Sequence, residues 1–144
     1  MSRGYLVVQV EGRPYGLPLG RVLEVSELPE VLDAPRALPA VRGLVALRGR
    51  LVPLVHLGAL LGERAAPAVR GRTAVLVRLG DRQVAFEVDD AEEVVREQPL
   101  PLPRGQSLPW AAGVARPRGT GGGGGGGGGL IPILDFDALE ERIR

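Results

Sequence analysis

The chain has 144 residues, a length that fits one domain, or two closely packed small ones, with a hydrophobic core. Its 18 Lys and Arg residues nearly balance its 17 Asp and Glu residues, which argues against electrostatic binding to nucleic acid or to an anionic membrane. All of these cations are Arg, and no Cys is present. The composition therefore excludes a P-loop lysine, Schiff-base chemistry, disulfides, thiol nucleophiles and cysteine-ligated zinc or iron–sulfur sites.

Side chains suited to catalysis or to base stacking are scarce. The sequence holds three Ser, two Thr, no Asn and five scattered aromatic residues, which is too few for a nucleic-acid stacking platform. Its apolar runs are interrupted by Pro, Arg or Gly, so neither a signal peptide nor a membrane span is predicted. The cytoplasm is the expected compartment.

In the first half of the chain, short apolar runs alternate with turn residues, a pattern that predicts strands. Prolines at 29, 35 and 39 favour a loop with at most one helical turn over residues 28–39. A short helix is predicted over Gly58–Arg64. The predicted strands are Tyr5–Val10 and Tyr15–Leu19 as a hairpin, Val22–Val25, and the pair Val41–Leu47 and Leu51–Leu57 flanking the basic turn 48–50.

The second half continues this pattern after a predicted linker over residues 65–72. The acidic group 89–93 is predicted to form a turn, and Asp137–Arg144 a terminal helix with Asp137 as its N-cap. The predicted strands are Thr73–Leu79, Gln83–Val88, Val94–Val95, Trp110–Arg116 and Leu130–Phe136.

Nine consecutive glycines occupy positions 121–129. Such a run has no side chains to bury, so it is expected to be a mobile loop between strands. A tether, repeat slippage in a GC-rich gene, an engineered linker and a stand-in for unidentified residues all remain open as its origin. The many short strands, with turns every 8 to 12 residues, predict an all-β barrel or sandwich.

The segment Val41–Gly62, VRGLVALRGRLVPLVHLGALLG, resembles the signature of CheW-like domains: an apolar strand, a Leu-Arg-Gly turn, a strand with an internal Pro, and a short helix. The flanking segments agree in order. They are the opening hairpin 5–18, the Val-x-Glu-Val strand 22–25, the Val-Asp-x-x-x-x-Val strand 86–95, and the closing strands and helix within 113–139. The resemblance covers nearly the whole chain.

This resemblance implies one domain over residues 1–144, with two small five-stranded β-barrel subdomains sharing a core and a short C-terminal helix. It implies a non-enzymatic, cytoplasmic adaptor of bacterial chemotaxis that couples chemoreceptors to the histidine kinase CheA. The implied partners are the CheA regulatory domain and the cytoplasmic tips of methyl-accepting receptors, which would recruit it to arrays at the inner membrane. No cofactor, metal, catalytic residue, nucleic acid or membrane insertion is expected.

Other interpretations stay open at this point. The same fold would serve an adaptor of another two-component pathway, such as twitching or gliding motility, or a fragment of a larger CheW-domain protein. A small β-barrel enzyme or ligand-binding protein is an alternative from a different functional class.

Arg48 lies in the predicted turn between two apolar strands, where its planar guanidinium could bind a partner carboxylate or brace a neighbouring loop. The resemblance links it to coupling with receptor and kinase. Gly49 is expected to supply a positive φ angle in the same turn, and it is included in the candidate partner-binding set.

Val22 and Glu24 are two residues apart, so an extended strand projects them to one face, with Leu23 and Val25 directed toward the core. The resemblance implies that the Val22 and Glu24 face contacts a partner. A solvated Glu on a strand is the simpler alternative.

Two positions depart from the family pattern. Ala46 replaces the usual Asn before Leu-Arg-Gly, and His56 replaces the Asp that usually ends the next strand, which puts the local hydrogen bonding of that turn in question. His56 is the only His in the chain, so a strand-end role is favoured over metal binding. The acidic group Asp89, Asp90, Glu92 and Glu93 lacks the ligand spacing of a calcium loop.

Overall fold

The computed structural model describes residues 4–34, 38–62, 72–102, 108–117 and 129–143. Residues 65–71 of the predicted linker 65–72 lie outside these ranges, as does the glycine run apart from Gly129. The described elements, in chain order, are β1 (Tyr5–Val10), β2 (Arg13–Pro18), a 3-10 helix (Leu19–Arg21), β3 (Val22–Glu27), β4 (Val41–Leu47), β5 (Arg50–His56), α1 (Leu57–Gly62), β6 (Thr73–Leu79), β7 (Arg82–Val88), β8 (Asp90–Val95), β9 (Ala111–Ala115), β10 (Ile131–Leu134) and α2 (Phe136–Arg142).

The strands form two five-stranded sheets, which confirms the all-β class. The first sheet has the order β8-β1-β2-β10-β9, and the second has the order β3-β6-β7-β5-β4. Pairing is antiparallel except at one parallel contact in each sheet, between β2 and β10 and between β5 and β7. We call the first sheet, curled around its own interior, the first barrel and the other the second barrel.

Period-two alternation sends neighbouring side chains of one strand into different cores. In β6, Val75 and Val77 face a large core shared by the two sheets, while Ala74 and Leu76 face a smaller core inside the second barrel. In the first barrel, Tyr5 and Val7 likewise belong to a separate interior cluster. Both faces of these strands are covered by apolar groups. The sequences of these strands are therefore nearly continuous runs of apolar residues.

Each barrel is closed by a short segment that follows one edge strand and pairs with the opposite edge strand at one residue. We call these segments straps; they are residues 28–34 in the second barrel and 96–102 in the first. Leu32 exchanges two backbone hydrogen bonds of 2.8 Å with Leu44 of β4, and Leu100 does the same with Val114 of β9. A glycine directly precedes each of the paired residues Leu44 and Val114 in the chain. A Cβ on Gly43 would lie 2.2 Å from the Leu32 carbonyl oxygen, and one on Gly113 would lie 2.6 Å from that of Leu100. Only a glycine permits the backbones to approach this closely.

The two barrels are repeats of one strand arrangement in permuted chain order. In both, an edge strand and a strap lead into a hairpin followed by a helix, so that β3, β4, β5 and α1 correspond to β8, β9, β10 and α2. The registers coincide, since Leu44 lies opposite Pro53 and Val114 opposite Pro132. The sequences LVPLVHLGALL at 51–61 and LIPILDFDALE at 130–140 show the same repeat.

Pro53 illustrates why the repeat tolerates proline within a strand. Leu44 lies opposite Pro53, and both of its backbone groups are hydrogen-bonded to Leu32. Pro53 therefore does not need to donate a backbone hydrogen bond to β4. The recorded parallel pairing of β5 with β7 begins only at Leu54.

Two local predictions are wrong. Residues 90–93 belong to strand β8 and not to a turn, because their backbone pairs with β1 at a sheet edge where the acidic side chains stay in solvent. The N-cap of the terminal helix is Asp135 instead of Asp137. Its carboxylate accepts hydrogen bonds from the backbone N–H groups of Asp137 and Ala138, which leaves Asp137 in the first turn.

Substituting Gly43 with Ala should lower the free energy of unfolding by about 2 kcal/mol, because the added Cβ pushes the strap away from β4. Urea denaturation measures this change. Gly20→Ala is the matched control, since no atom lies within 4 Å of a Cβ at that position. Equal midpoints for the two variants would contradict the role assigned to the strap.

Candidate protein-binding site

A two-residue turn between β4 and β5 presents Arg48 at its tip. Arg48 and Gly49 have φ angles of 52° and 76°, as a type I′ hairpin turn requires at both central positions. Gly49 therefore has the positive φ that its sequence context predicts. Arg48 adopts the left-handed region despite its side chain, which is uncommon for a residue other than Gly, Asn or Asp.

The structure brings Arg48 next to Glu24, although Glu24 lies on the edge strand β3 and Arg48 follows β4, the strand at the opposite edge of the second sheet. The Nε atom of Arg48 lies 3.4 Å from Oε1 of Glu24. Closure of the barrel is what joins these edges. The Arg48 side chain is 54% exposed and that of Glu24 is 37% exposed, so water screens the pair and both groups remain accessible to a partner.

A β-bulge changes the predicted faces of β3. The register shifts between Val22 and Glu24, which interrupts simple alternation. Val22 packs partly against the shared core and Leu23 against the interior of the second barrel. The prediction that Val25 faces the core is wrong, because its side chain is 44% exposed.

The outer face of the β4–β5 hairpin is apolar close to Arg48. Leu51 is 56% exposed and lies opposite the exposed Ala46. Leu32 on the strap, which pairs with Leu44, is 42% exposed. This part of the second barrel therefore combines exposed aliphatic side chains with one ion pair at its rim.

The first barrel repeats the exposed aliphatic positions. Its edge strand carries a bulge at the corresponding place, between Ala91 and Glu93, so that Glu24 corresponds to Glu93. Within the described ranges, the six large exposed hydrophobic residues form three equivalent pairs. These pairs are Val25 and Val94, Leu32 and Leu100, and Leu51 and Leu130. We call the Val25, Leu32 and Leu51 set the second-barrel face, and the Val94, Leu100 and Leu130 set the first-barrel face.

A buried ion pair, which the sequence analysis missed, lies at the start of β4. The guanidinium of Arg42 donates from Nε to one oxygen of Glu87 and from Nη2 to the other, the latter at 3.2 Å. The two side chains are 10% and 1% exposed. The pair links β4 to β7 across the intervening β5. The available signal was a charged residue among the apolar residues of a strand: Arg42 is the second residue of β4, and Glu87 is the last but one of β7.

His56 ends β5 and is 4% exposed. Its Nδ1 atom accepts a hydrogen bond of 3.0 Å from the backbone N–H of Ala59, so the imidazole caps α1 where the family usually has Asp. Its position corresponds to that of Asp135 in the other repeat. In the described ranges, no group of three or more His, Cys, Asp or Glu side chains is arranged to hold a metal ion.

The acidic residues at the start of β8 make structural contacts. The Asp89 carboxylate accepts a hydrogen bond of 2.7 Å from the backbone N–H of Glu11, and Glu92 accepts one of 3.1 Å from the side-chain amide of Gln9. These bonds hold β8 against the β1–β2 hairpin. No helix within the described residues is long and apolar enough to cross a membrane.

The sequence profile of the CheW-like domain matches residues 4–143, and the chain belongs to this family. The fold is similar to that of the scaffolding protein TtCheW from Thermoanaerobacter tengcongensis, with a TM-score of 0.75 and 19% identity over 96% of this chain and 92% of that chain. No match is found among curated proteins. Proteins of this family are scaffolds and not enzymes, and the chain is a chemotaxis-type coupling adaptor.

The Arg48–Glu24 pair should contribute little to folding. A double-mutant cycle with Arg48→Ala and Glu24→Ala is expected to give a coupling free energy of about 0.5 kcal/mol in urea denaturation, because both side chains are solvated. A coupling of about 2 kcal/mol or more would instead show that Arg48 braces the turn.

The Arg42–Glu87 pair should behave in the opposite way. Glu87→Ala is expected to lower the free energy of unfolding by about 3 kcal/mol, since it leaves a buried guanidinium without its counter-ion. The exposed Glu27→Ala serves as the control and should change stability by less than about 0.5 kcal/mol. Combining Arg42→Met with Glu87→Leu should recover most of the loss; a double variant no more stable than Glu87→Ala would contradict this explanation.

Proposed function

We propose that this chain couples the cytoplasmic tips of chemoreceptors to the regulatory domain of the histidine kinase CheA. The observation that carries the proposal is the pair of equivalent exposed faces, one on each barrel. An adaptor must hold two partners at once, and this molecule offers two apolar surfaces fixed relative to each other by one shared core.

Burial of the exposed aliphatic side chains would supply the binding free energy. Each fully buried Val or Leu is worth about 1.5–3 kcal/mol relative to its exposed state. The charged rim would supply specificity and orientation. On the second-barrel face this rim includes Arg48, whose planar guanidinium suits a partner carboxylate, and Glu24, which already lies beside it.

Within this proposal, Val22, Glu24, Arg48 and Gly49 form one partner-binding set. Glu24 and Arg48 would contact the partner directly. Gly49 would act by fixing the turn that presents Arg48, and Val22 would anchor the bulge of β3 against the shared core. Binding would recruit the chain from the cytoplasm to receptor arrays at the inner membrane.

Co-sedimentation with receptor-containing membranes, with and without purified CheA, tests the proposal. Arg48→Asn is the informative variant, because Asn accepts the left-handed conformation of this turn while removing the guanidinium. We expect about tenfold weaker association with at least one partner at unchanged stability. Arg72→Asn, another exposed Arg position, should bind as the unmodified protein does.

Leu51→Glu and Leu130→Glu extend the test to the two faces. Each variant places a charge on one barrel and should reduce binding of one partner while leaving binding of the other unchanged. Failure of the unmodified chain to associate with either receptors or CheA would overturn the proposal. Loss of the same partner in both variants would overturn the assignment of one partner to each face.

A further inference from the structure

His56 is the cap of α1 only while its Nδ1 atom carries no proton. The Ala59 N–H donates to this nitrogen at 3.0 Å, and an imidazolium has an N–H at both ring positions, so it cannot accept. The residue is also 4% exposed, and burial further disfavours the charged form. Both features stabilise the neutral ring in the folded chain.

The other repeat uses a cap of different chemistry at the equivalent place. The Asp135 carboxylate accepts from the N–H groups of Asp137 and Ala138, at 3.1 Å and 3.2 Å. An imidazole nitrogen accepts a hydrogen bond only while it carries no proton, and histidine ordinarily titrates near about 6.5. The two helices therefore differ in their response to pH, although the strands that precede them are equivalent.

Charged groups from three elements lie around the start of α1, and a group from a fourth lies at its other end. Glu87 of β7 lies opposite His56 in the β5–β7 register, and its charge is compensated by Arg42 of β4. The Glu11 carboxylate, from the β1–β2 turn, approaches Gly58 so closely that a Cβ there would lie 2.4 Å from it and 3.1 Å from the His56 ring. At the other end of α1, Arg142 of α2 donates to the Leu60 carbonyl oxygen at 3.2 Å.

Of these groups, Glu11 favours an imidazolium most directly. It belongs to an exposed turn, where water screens its charge. The Glu87 carboxylate already faces a guanidinium, which reduces its attraction for a second cation. Protonation would break the Ala59 hydrogen bond and place a charge on a buried ring, and water does not screen either of these two costs.

The helix that His56 caps is part of the junction between the barrels. Leu57, Leu60 and Leu61 of α1 all belong to the shared core. We propose that protonation of His56 releases the first turn of α1 and loosens this junction, so that the packing of the two barrels weakens as the pH falls below about 6.5.

The direction of the pH dependence is set by the protonation state of His56 that the folded protein favours. Because the neutral ring is favoured on folding, the stabilisation from the cap is complete above the pH at which an unfolded histidine titrates. It is lost as the pH falls through the titration of the folded protein. Acidification should therefore weaken α1 and leave α2 unaffected.

Amide hydrogen exchange followed by NMR tests this proposal on the unmodified chain. The protection factor of the Ala59 amide, which corrects for intrinsic exchange, should fall by about fivefold between pH 8 and pH 5.5, as expected for loss of a helix cap. That of Ala138 should stay constant. An Ala59 protection factor that is constant or rises on acidification would overturn the proposal.

Exchanging the two caps gives a reciprocal test. His56→Asp should make Ala59 protection independent of pH over this range, and Asp135→His should transfer the pH dependence to Ala138. The same decline of Ala59 protection in His56→Asp as in the unmodified chain would show that another group is responsible. That outcome would overturn the role of His56 even if Asp135→His failed to fold.

Discussion

Closure of each sheet by a glycine-dependent strap is the constraint on which the rest of the molecule depends. A five-stranded sheet left open would keep β3 and β4 apart at its two edges. The bridge between Leu32 and Leu44 holds the edge of β4 against the chain that follows β3. Closure brings Arg48 to Glu24, and Val25, Leu32 and Leu51 stay exposed on the same barrel. The missing Cβ of Gly43 makes this approach possible.

Repetition of the same arrangement explains why one small chain can serve as an adaptor. The interior of each barrel is small, and neither barrel has a large core of its own, so the two are held together by the shared core between them. The outer faces that remain repeat the same aliphatic positions on both barrels. Two comparable surfaces held by one core suit a protein that binds two partners at once.

Buried polar groups mark where the two repeats have diverged. Arg42 and Glu87 tie β4 to β7 beneath β5, and His56 lies beside Glu87 in the sheet register. Such groups are retained at an energetic disadvantage relative to apolar packing. Here they lie at the base of the hairpin that presents Arg48, and next to the helix that joins the barrels.

Local patterning in the sequence determined most of the secondary structure, since period-two runs and turn residues act within a few positions of one another. The hairpin turn at Arg48 and Gly49 followed from such signals, whereas the family was indicated by the resemblance of residues 41–62 to its signature. Only the tertiary structure decided the bulge that turns Val25 outward, the pairing of residues 90–93 with β1, the burial of Glu87 and the meeting of Arg48 with Glu24. Each of these depends on backbone pairing or packing between residues distant in sequence, which no local pattern encodes.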